Sequence, residues 1–188
     1  MNRKVYIAMS GGVDSSVAAA LLKERGYSVV GVFMKFWSPG VNGDSPLGGT
    51  VPGCFWMEER ADAARVAAKL NIPLLTWDFT QEYEKKVVNY MLEAYRSGIT
   101  PNPDIMCNKE IKFGLFFGKA IKEGADFVAT GHYARIRRVK SEKLKVKSSE
   151  LQQAIDKNKD QSYFLYTLEQ RHLEKTLFPI GEYTKPEV

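Results

Sequence analysis

Only two cysteines occur among the 188 residues, Cys54 and Cys107, 53 positions apart. That is too few for a disulfide framework, and no group of histidines, cysteines and aspartates has zinc-ligand spacing. Long apolar runs are missing too: nothing approaches the roughly 20 residues that a membrane-spanning helix needs. The stretch Val5–Met9, behind Met1-Asn2-Arg3-Lys4, is too short for a signal peptide. Internal repeats and low-complexity tracts are also lacking. With 44% hydrophobic residues the chain can still bury a core, which excludes disorder for its bulk. The expectation is a cytoplasmic protein with no membrane contact.

The net charge of +5 is concentrated rather than spread. Between Arg135 and Lys147 stand seven basic residues (Arg135, Arg137, Arg138, Lys140, Lys143, Lys145, Lys147) and one acid, Glu142, so this window carries +6 and the remaining chain −1. Such a segment is either an RNA contact or an edge hairpin protected by its lysines. Its place directly after Gly131-His132 and shortly before Lys159-Asp160-Gln161 favours RNA.

The pattern alternates apolar runs with amphipathic stretches. It predicts strands at Val5–Met9, Val29–Met34, Leu74–Phe79 and Phe127–Thr130. Helices are predicted over Ser15–Arg25, Met57–Leu70, Thr80–Arg96, Glu110–Glu123 and Asp160–Lys175, with Gly26 and Gly98 as stops. Pro39–Gly53 holds five glycines and three prolines and is expected to be a mobile surface loop. This order specifies an α/β fold with a doubly wound parallel sheet, whose ligand crevice lies beyond the strands' carboxyl ends. The loops after Met9, Met34 and Thr130 should therefore share one crevice. Thr184-Lys185-Pro186-Glu187 has capping-box spacing and announces a helix just before Val188.

Ser10-Gly11-Gly12-Val13-Asp14-Ser15-Ser16 sits between the first strand and its helix. Its glycines permit a sharp turn, and the helix N-terminus behind it is a natural anion site. The loop lacks the Gly-Lys-Ser/Thr ending of a Walker A motif and the third glycine of the dinucleotide fingerprint. Asp14 either holds Mg²⁺ through water or accepts hydrogen bonds within the loop. Further on, Asn108 is expected to be an N-cap, placing Cys107 just before a helix. The helix dipole with Lys109 and Lys112 would then lower the thiol's pKa, the alternative being an ordinary buried cysteine. His132 is expected to face the crevice, His172 to be exposed, and Tyr163, Phe164 and Tyr166 to be core rather than a stacking platform, with Tyr163 open to either role.

The Ser10–Ser15 signature resembles the phosphate loop of the ATP-pyrophosphatase family, of adenine nucleotide alpha hydrolase type. Together with Val32-Phe33-Met34-Lys35, Thr100–Phe113, Ala129–Arg135 and Asn158–Leu165, the chain closely resembles the tRNA-specific 2-thiouridylases. The resemblance implies ATP-dependent sulfur transfer to C2 of a tRNA wobble uridine through an adenylated uridine, releasing AMP and pyrophosphate, with ATP and Mg²⁺ as cofactors. It implies that Ala8, Met9, Ser10, Gly11, Gly12, Val13, Asp14, Ser15, Met34 and Gly131 contact ATP. Asn102, Pro103 and Asp104 would meet the target base, Lys159, Asp160 and Gln161 the tRNA, and Cys107 would be the nucleophile. The partners implied are tRNA and a sulfur donor, either a cysteine desulfurase or a persulfide relay protein.

The resemblance divides the chain into a nucleotide-binding domain (1–134), a basic hairpin or loop (135–158) and the helical start of a tRNA-binding region (159–188). The family's second, persulfide-carrying cysteine lies downstream of the tRNA motif, whereas no cysteine follows Cys107 here; Cys54 is expected to be structural. The chain is therefore expected to be an N-terminal fragment that binds ATP without completing thiolation. The alternatives are a non-catalytic ATP- or tRNA-binding fragment and another ATP-pyrophosphatase ligase.

Overall fold

The computed structural model describes residues 2–36, 55–141 and 146–188. The Pro39–Gly53 loop, Cys54 and residues 142–145 of the basic segment lie outside the described residues, as do the side chains of Lys140 and Lys147.

Five parallel strands form the central sheet in the order β3-β2-β1-β4-β7. The strands are β1 (Lys4–Ala8), β2 (Ser28–Lys35), β3 (Leu74–Asp78), β4 (Phe127–Ala129) and β7 (Thr176–Leu177). The chain runs outward from β1 through β2 to β3, then returns to place β4 on the other side of β1. The order reverses there, as in a doubly wound sheet. Helices α1 (Val13–Glu24) and α2 (Phe55–Lys69) provide the first crossovers.

A second group of helices follows β3. It comprises α3 (Thr80–Tyr83), a π-helical turn Glu84–Val88 and α4 (Asn89–Arg96), then α5 (Pro103–Met106), a π-helical stretch Cys107–Phe116 and α6 (Phe117–Lys122).

Period-two alternation divides the core between the two faces of the sheet. Val5, Ile7 and Met9 point toward Ala18, Ala19, Leu22 and Ala63 of α1 and α2. Tyr6, Val30, Val32 and Val128 point the other way, toward Val87, Ile111, Phe116 and Ala120. Strands this apolar on both faces are suited only to a sheet covered by helices on each side.

The four predicted strands stand where expected, but β7 is an additional one. Two residues long and paired only with β4, it is too short to show periodicity. The helix expected over Glu110–Glu123 starts earlier, at Pro103. The helix expected over Asp160–Lys175 is instead a 3-10 turn (Ser162–Leu165) and a short α7 (Gln170–Glu174). Asp160 breaks it: its carboxylate accepts from Ala154 N (2.8 Å), Ser162 N (3.3 Å) and Ser162 Oγ (2.8 Å), holding a turn that a continuous helix would disrupt. The Thr184–Glu187 capping box is present, around a 3-10 turn at Lys185–Glu187.

The basic segment is an antiparallel hairpin of β5 (Ala134–Ser141) and β6 (Val146–Gln153), separate from the main sheet. The polypeptide after it packs back onto the α1 face, where Ile180 is fully buried with Tyr133 and Ala154. Gly181 lies so close to β5 that a Cβ there would stand 1.8 Å from the Ala134 carbonyl oxygen and 2.7 Å from its carbon.

A methyl group cannot be accommodated against that backbone, so Gly181→Ala should cost about 3 kcal/mol in urea unfolding. Gly118→Ala, in the interior of α6 with nothing within 4 Å, should stabilise by about 1 kcal/mol. A Gly181→Ala protein as stable as its parent would show that this segment is not seated against β5.

Candidate functional site

A crevice of about 320 Å³ opens over the carboxyl ends of β1, β2 and β4. Ala8, Met9, Ser10, Asp14, Ser15, Met34 and Gly131 line it, so seven of the expected nucleotide contacts come together. Gly11, Gly12 and Val13 lie in the same loop without lining the cavity, and the Val13 side chain points to solvent. Phe33, Phe36, Glu59, Lys112, Thr130, His132 and Gln161 complete the walls. Thus the three predicted loops do meet.

The loop between β1 and α1 is held by its own hydroxyls. Ser10 Oγ accepts from Gly12 N (3.4 Å), while Ser15 Oγ and Ser16 Oγ donate to the Gly12 carbonyl (3.0 and 2.8 Å). Gly12 caps α1 without a side-chain acceptor, so the helix's first N–H groups remain free of a cap. A glycine is required at position 11, where φ is +83° and a Cβ would sit 2.7–2.8 Å from Asp62 and Ala63 of α2 and the Glu59 carbonyl. Gly131 meets the loop from the other side, a Cβ there lying 2.8 Å from Ser15 N. An anion cradle with a dipole behind it results.

Asp14 does not turn back into its own loop, as one of its two expected roles required. Its Oδ1 accepts from the buried Tyr133 hydroxyl (3.1 Å) and from Lys185 Nζ, which arrives from the far end of the chain. Burial, with the Asp14 carboxylate, pushes the Tyr133 phenol up to about 12. Among the described residues no cluster of three or more His, Cys, Asp or Glu side chains is arranged to hold a metal ion.

The Cys107 environment departs from the sequence expectation. The N-cap is Asn102, whose Oδ1 accepts from Ile105 N (3.2 Å), not Asn108. Cys107 therefore lies inside the helix, where it is half-buried among Tyr83 and Met106. Burial pushes its thiol up, with Asp104 adding to the effect and Lys112 opposing it. Asn108 is buried and donates to the Phe164 carbonyl (3.2 Å), tying this helix to the turn after the Lys159–Gln161 motif. Asn102, Pro103 and Asp104 form the first turn beside Cys107, with Asp104 exposed.

The three residues Lys159, Asp160 and Gln161 diverge. Lys159 is exposed, and Asp160 is engaged in its turn. Gln161 enters the crevice, accepting from Tyr133 N (2.9 Å) and donating its own backbone N–H to Tyr133 O (2.8 Å). Tyr163 and Tyr166 are not core: they are 67% and 66% exposed and lie together at 6.3 Å.

His172, expected to be exposed, is 9% exposed, its ring packed edge-on against Phe117 and its Nδ1 accepting from Glu169 N (3.1 Å). His132 is buried, with Nδ1 2.7 Å from Thr130 Oγ1 and Nε2 3.5 Å from Lys112 Nζ. Burial, then Lys112, hold its pKa well below the usual histidine value. In the sequence Lys112 stands out only as a neighbour of Cys107; its place on the crevice wall depends on the π-helical winding, which leaves no sequence signal.

On the basic hairpin, Arg137 grips Glu150 across the strands (2.6 and 3.0 Å), and Arg138 lies over the Phe127 ring. Arg135 donates to Gln153 O and pairs with Glu182. The three arginines of the segment each therefore have a partner within the protein. No helix among the described residues is long and apolar enough to cross a membrane.

Comparison with known proteins places this geometry. The tRNA-specific 2-thiouridylase MnmA of Flavobacterium johnsoniae is 50% identical over 190 residues, covering 99% of this chain and 45% of its own length. The MnmA protein of Bacillus mycoides is 48% identical over 185 residues, 98% of this chain and 46% of its own. The chain thus spans less than half the length of these curated relatives. Among solved structures, a predicted subunit of tRNA methyltransferase from Methanocaldococcus jannaschii shares the fold. It has a TM-score of 0.54 and 15% identity, over 98% of this chain and 71% of that one. A family description, tRNA methyl transferase HUP domain, matches residues 3–188, and with nearly the whole chain inside that match, the chain belongs to this family.

Proposed function

We propose that this chain forms the nucleotide-binding part of an ATP-dependent tRNA 2-thiouridylase. The observation that carries the reading is the shared crevice: a phosphate cradle forms one wall, and the helix bearing Cys107 sends Lys112 into another. The identity to proteins named 2-thiouridylases supports the same reading. The family description names methyl transfer, but a cradle of uncapped N–H groups suits a nucleotide triphosphate, and the named relatives are thiolation enzymes.

In this reading the Ser10–Ser15 loop and Gly131 take the ATP phosphates, and Met34, beside Phe33 and Phe36, meets the apolar adenine. Asn102, Pro103 and Asp104 face the target uridine, and Cys107 handles the sulfur. A uracil carbonyl is a poor electrophile, and adenylation of its C2 oxygen gives it a leaving group. The outer sulfur of a persulfide brought by a cysteine desulfurase or relay protein then bonds to C2 as AMP leaves, and the Cys107 thiolate attacks the inner sulfur, so the S–S bond breaks and Cys107 ends in a disulfide with the donor. Mg²⁺ would neutralise the phosphates, with Asp14 and Glu59 as the crevice carboxylates available to its water shell. Lys159 and the exposed rings of Tyr163 and Tyr166 provide charge and stacking surface for tRNA at the start of the 159–188 region.

Two outcomes are expected of the protein expressed at the full length of its gene. Cys107→Ser should still release pyrophosphate from ATP in the presence of tRNA but form no 2-thiouridine by nucleoside mass spectrometry. Thiolation by that variant would remove the sulfur role of Cys107, and methylated uridine from the parent would favour methyl transfer. Gly131→Ala, which drives a methyl into Ser15 N, should weaken ATP binding at least about tenfold in calorimetry, with one or more kcal/mol of overpacking placed at the cradle. Unchanged affinity would move the phosphates away from this corner.

A further inference from the structure

We propose that Lys112 is a catalytic residue of this site: its ammonium is the cation that the α-phosphoryl group of ATP meets during adenylation, and it also faces Cys107. The assignment rests on the adenylation reading above.

Position is the first argument. Lys112 lines the crevice, half-buried, on the opposite face of the sheet from the phosphate loop. It follows Cys107 by five residues on a π-helical stretch. In an α-helix such a residue sits well around the cylinder from its predecessor. The wider i→i+5 winding returns it toward the same face. One helix can thus present a thiol and an ammonium to one region.

The second argument is that Lys112 lacks a counter-ion. Lys35 pairs with Asp78, Lys86 with Glu110 and Lys185 with Asp14, whereas no carboxylate among the described residues lies within ion-pair distance of Lys112. Its near neighbour is His132 Nε2. A lysine only donates, so Nε2 must be the acceptor, and Nδ1 carries the proton toward Thr130 Oγ1. Buried and neutral, His132 orients the ammonium without neutralising it. The charged or titratable groups around the thiol are Tyr83, Asp104 and Lys112, and only Lys112 favours the thiolate.

The chemistry has a use for such a charge. In adenylation the uracil C2 oxygen bonds to the α-phosphorus as its bond to the bridging oxygen of pyrophosphate breaks. That oxygen leaves with the electron pair, and the N3 proton passes to water. Negative charge builds on the phosphoryl oxygens and the leaving group, where a preorganised cation in a partly desolvated site is most effective. When sulfur later bonds to C2, the C2–O bond breaks and AMP leaves with that electron pair, so the same ammonium serves twice.

The test uses the protein at the full length of its gene, with ATP and an unmodified tRNA transcript and no sulfur donor. K112M should lower kcat for pyrophosphate release by roughly 10²–10³-fold, as loss of one such donor does, with tRNA affinity and unfolding midpoint unchanged; K112R should recover part of the rate. K112Q stands in if K112M fails to fold. Independently of turnover, the pH profile of Cys107 alkylation by iodoacetamide, read by peptide mapping, should move to higher pH in K112M. An active parent with an equally active K112M overturns the role of Lys112 alone. A parent that releases no pyrophosphate overturns the adenylation reading and this role with it.

Discussion

The close approach of Gly131 to the first turn of α1 is the constraint on which the crevice depends. With no side chain between them, the end of β4 rests against Ser15 N and Asp14. The next residues then fall into fixed positions. His132 turns inward to Thr130, and the Tyr133 hydroxyl reaches Asp14. Because burial keeps that phenol protonated to about pH 12, it is a permanent donor, and Asp14 is oriented by it. Both backbone groups of Tyr133 are in turn bonded by Gln161. Residues 14, 133, 161 and 185 thereby form one contiguous network, although 171 positions separate its ends.

The two faces of the sheet contribute different chemistry. The phosphate loop belongs to the α1 face, whose core is Val5, Ile7 and Met9 with α1 and α2. The helix of Cys107 and Lys112 belongs to the opposite face, packed on Tyr6, Val30 and Val32 through Ile111 and Phe116. The faces meet only over the strand ends, where β1 is flanked by β2 and β4. A doubly wound sheet thus brings an anion cradle and a cysteine-bearing helix together without a dedicated loop for either, and each group rests on a rigid element.

The fold was legible because its signals are periodic: the strands alternate between two cores, and both helix stops carry glycine. The phosphate loop was legible because a short glycine-serine motif stood between a strand and a helix. What was missed depends on tertiary contacts. Asn102 and Asn108 are equally good caps by composition; Asn108 is drawn inside by its bond to Phe164, 56 residues away. His172 looks polar and exposed in a string of charged neighbours, yet its Nδ1 closes its own helix start and its ring finds Phe117. Strand β7 is two residues long and exists because β4 offers an edge. The position of Lys112 depends on a helix winding that no residue pattern announces.

These details bear on how the crevice could receive a polyanion. Two acidic groups are muted in the folded chain: Asp14, on the crevice wall, is held by Lys185, and the thiol of Cys107, outside the lining, is biased toward its neutral form by burial. A free carboxylate beside the cradle would repel an incoming anion in a site where screening is weak. His132, also neutral, neither adds to nor competes with the positive charge. Against the Glu59 carboxylate on the crevice wall stand Lys112 and the uncapped N–H groups of α1, both favouring an anion. In the proposed reading, a thiol held neutral until sulfur arrives adds no negative charge near the cavity while the phosphates enter.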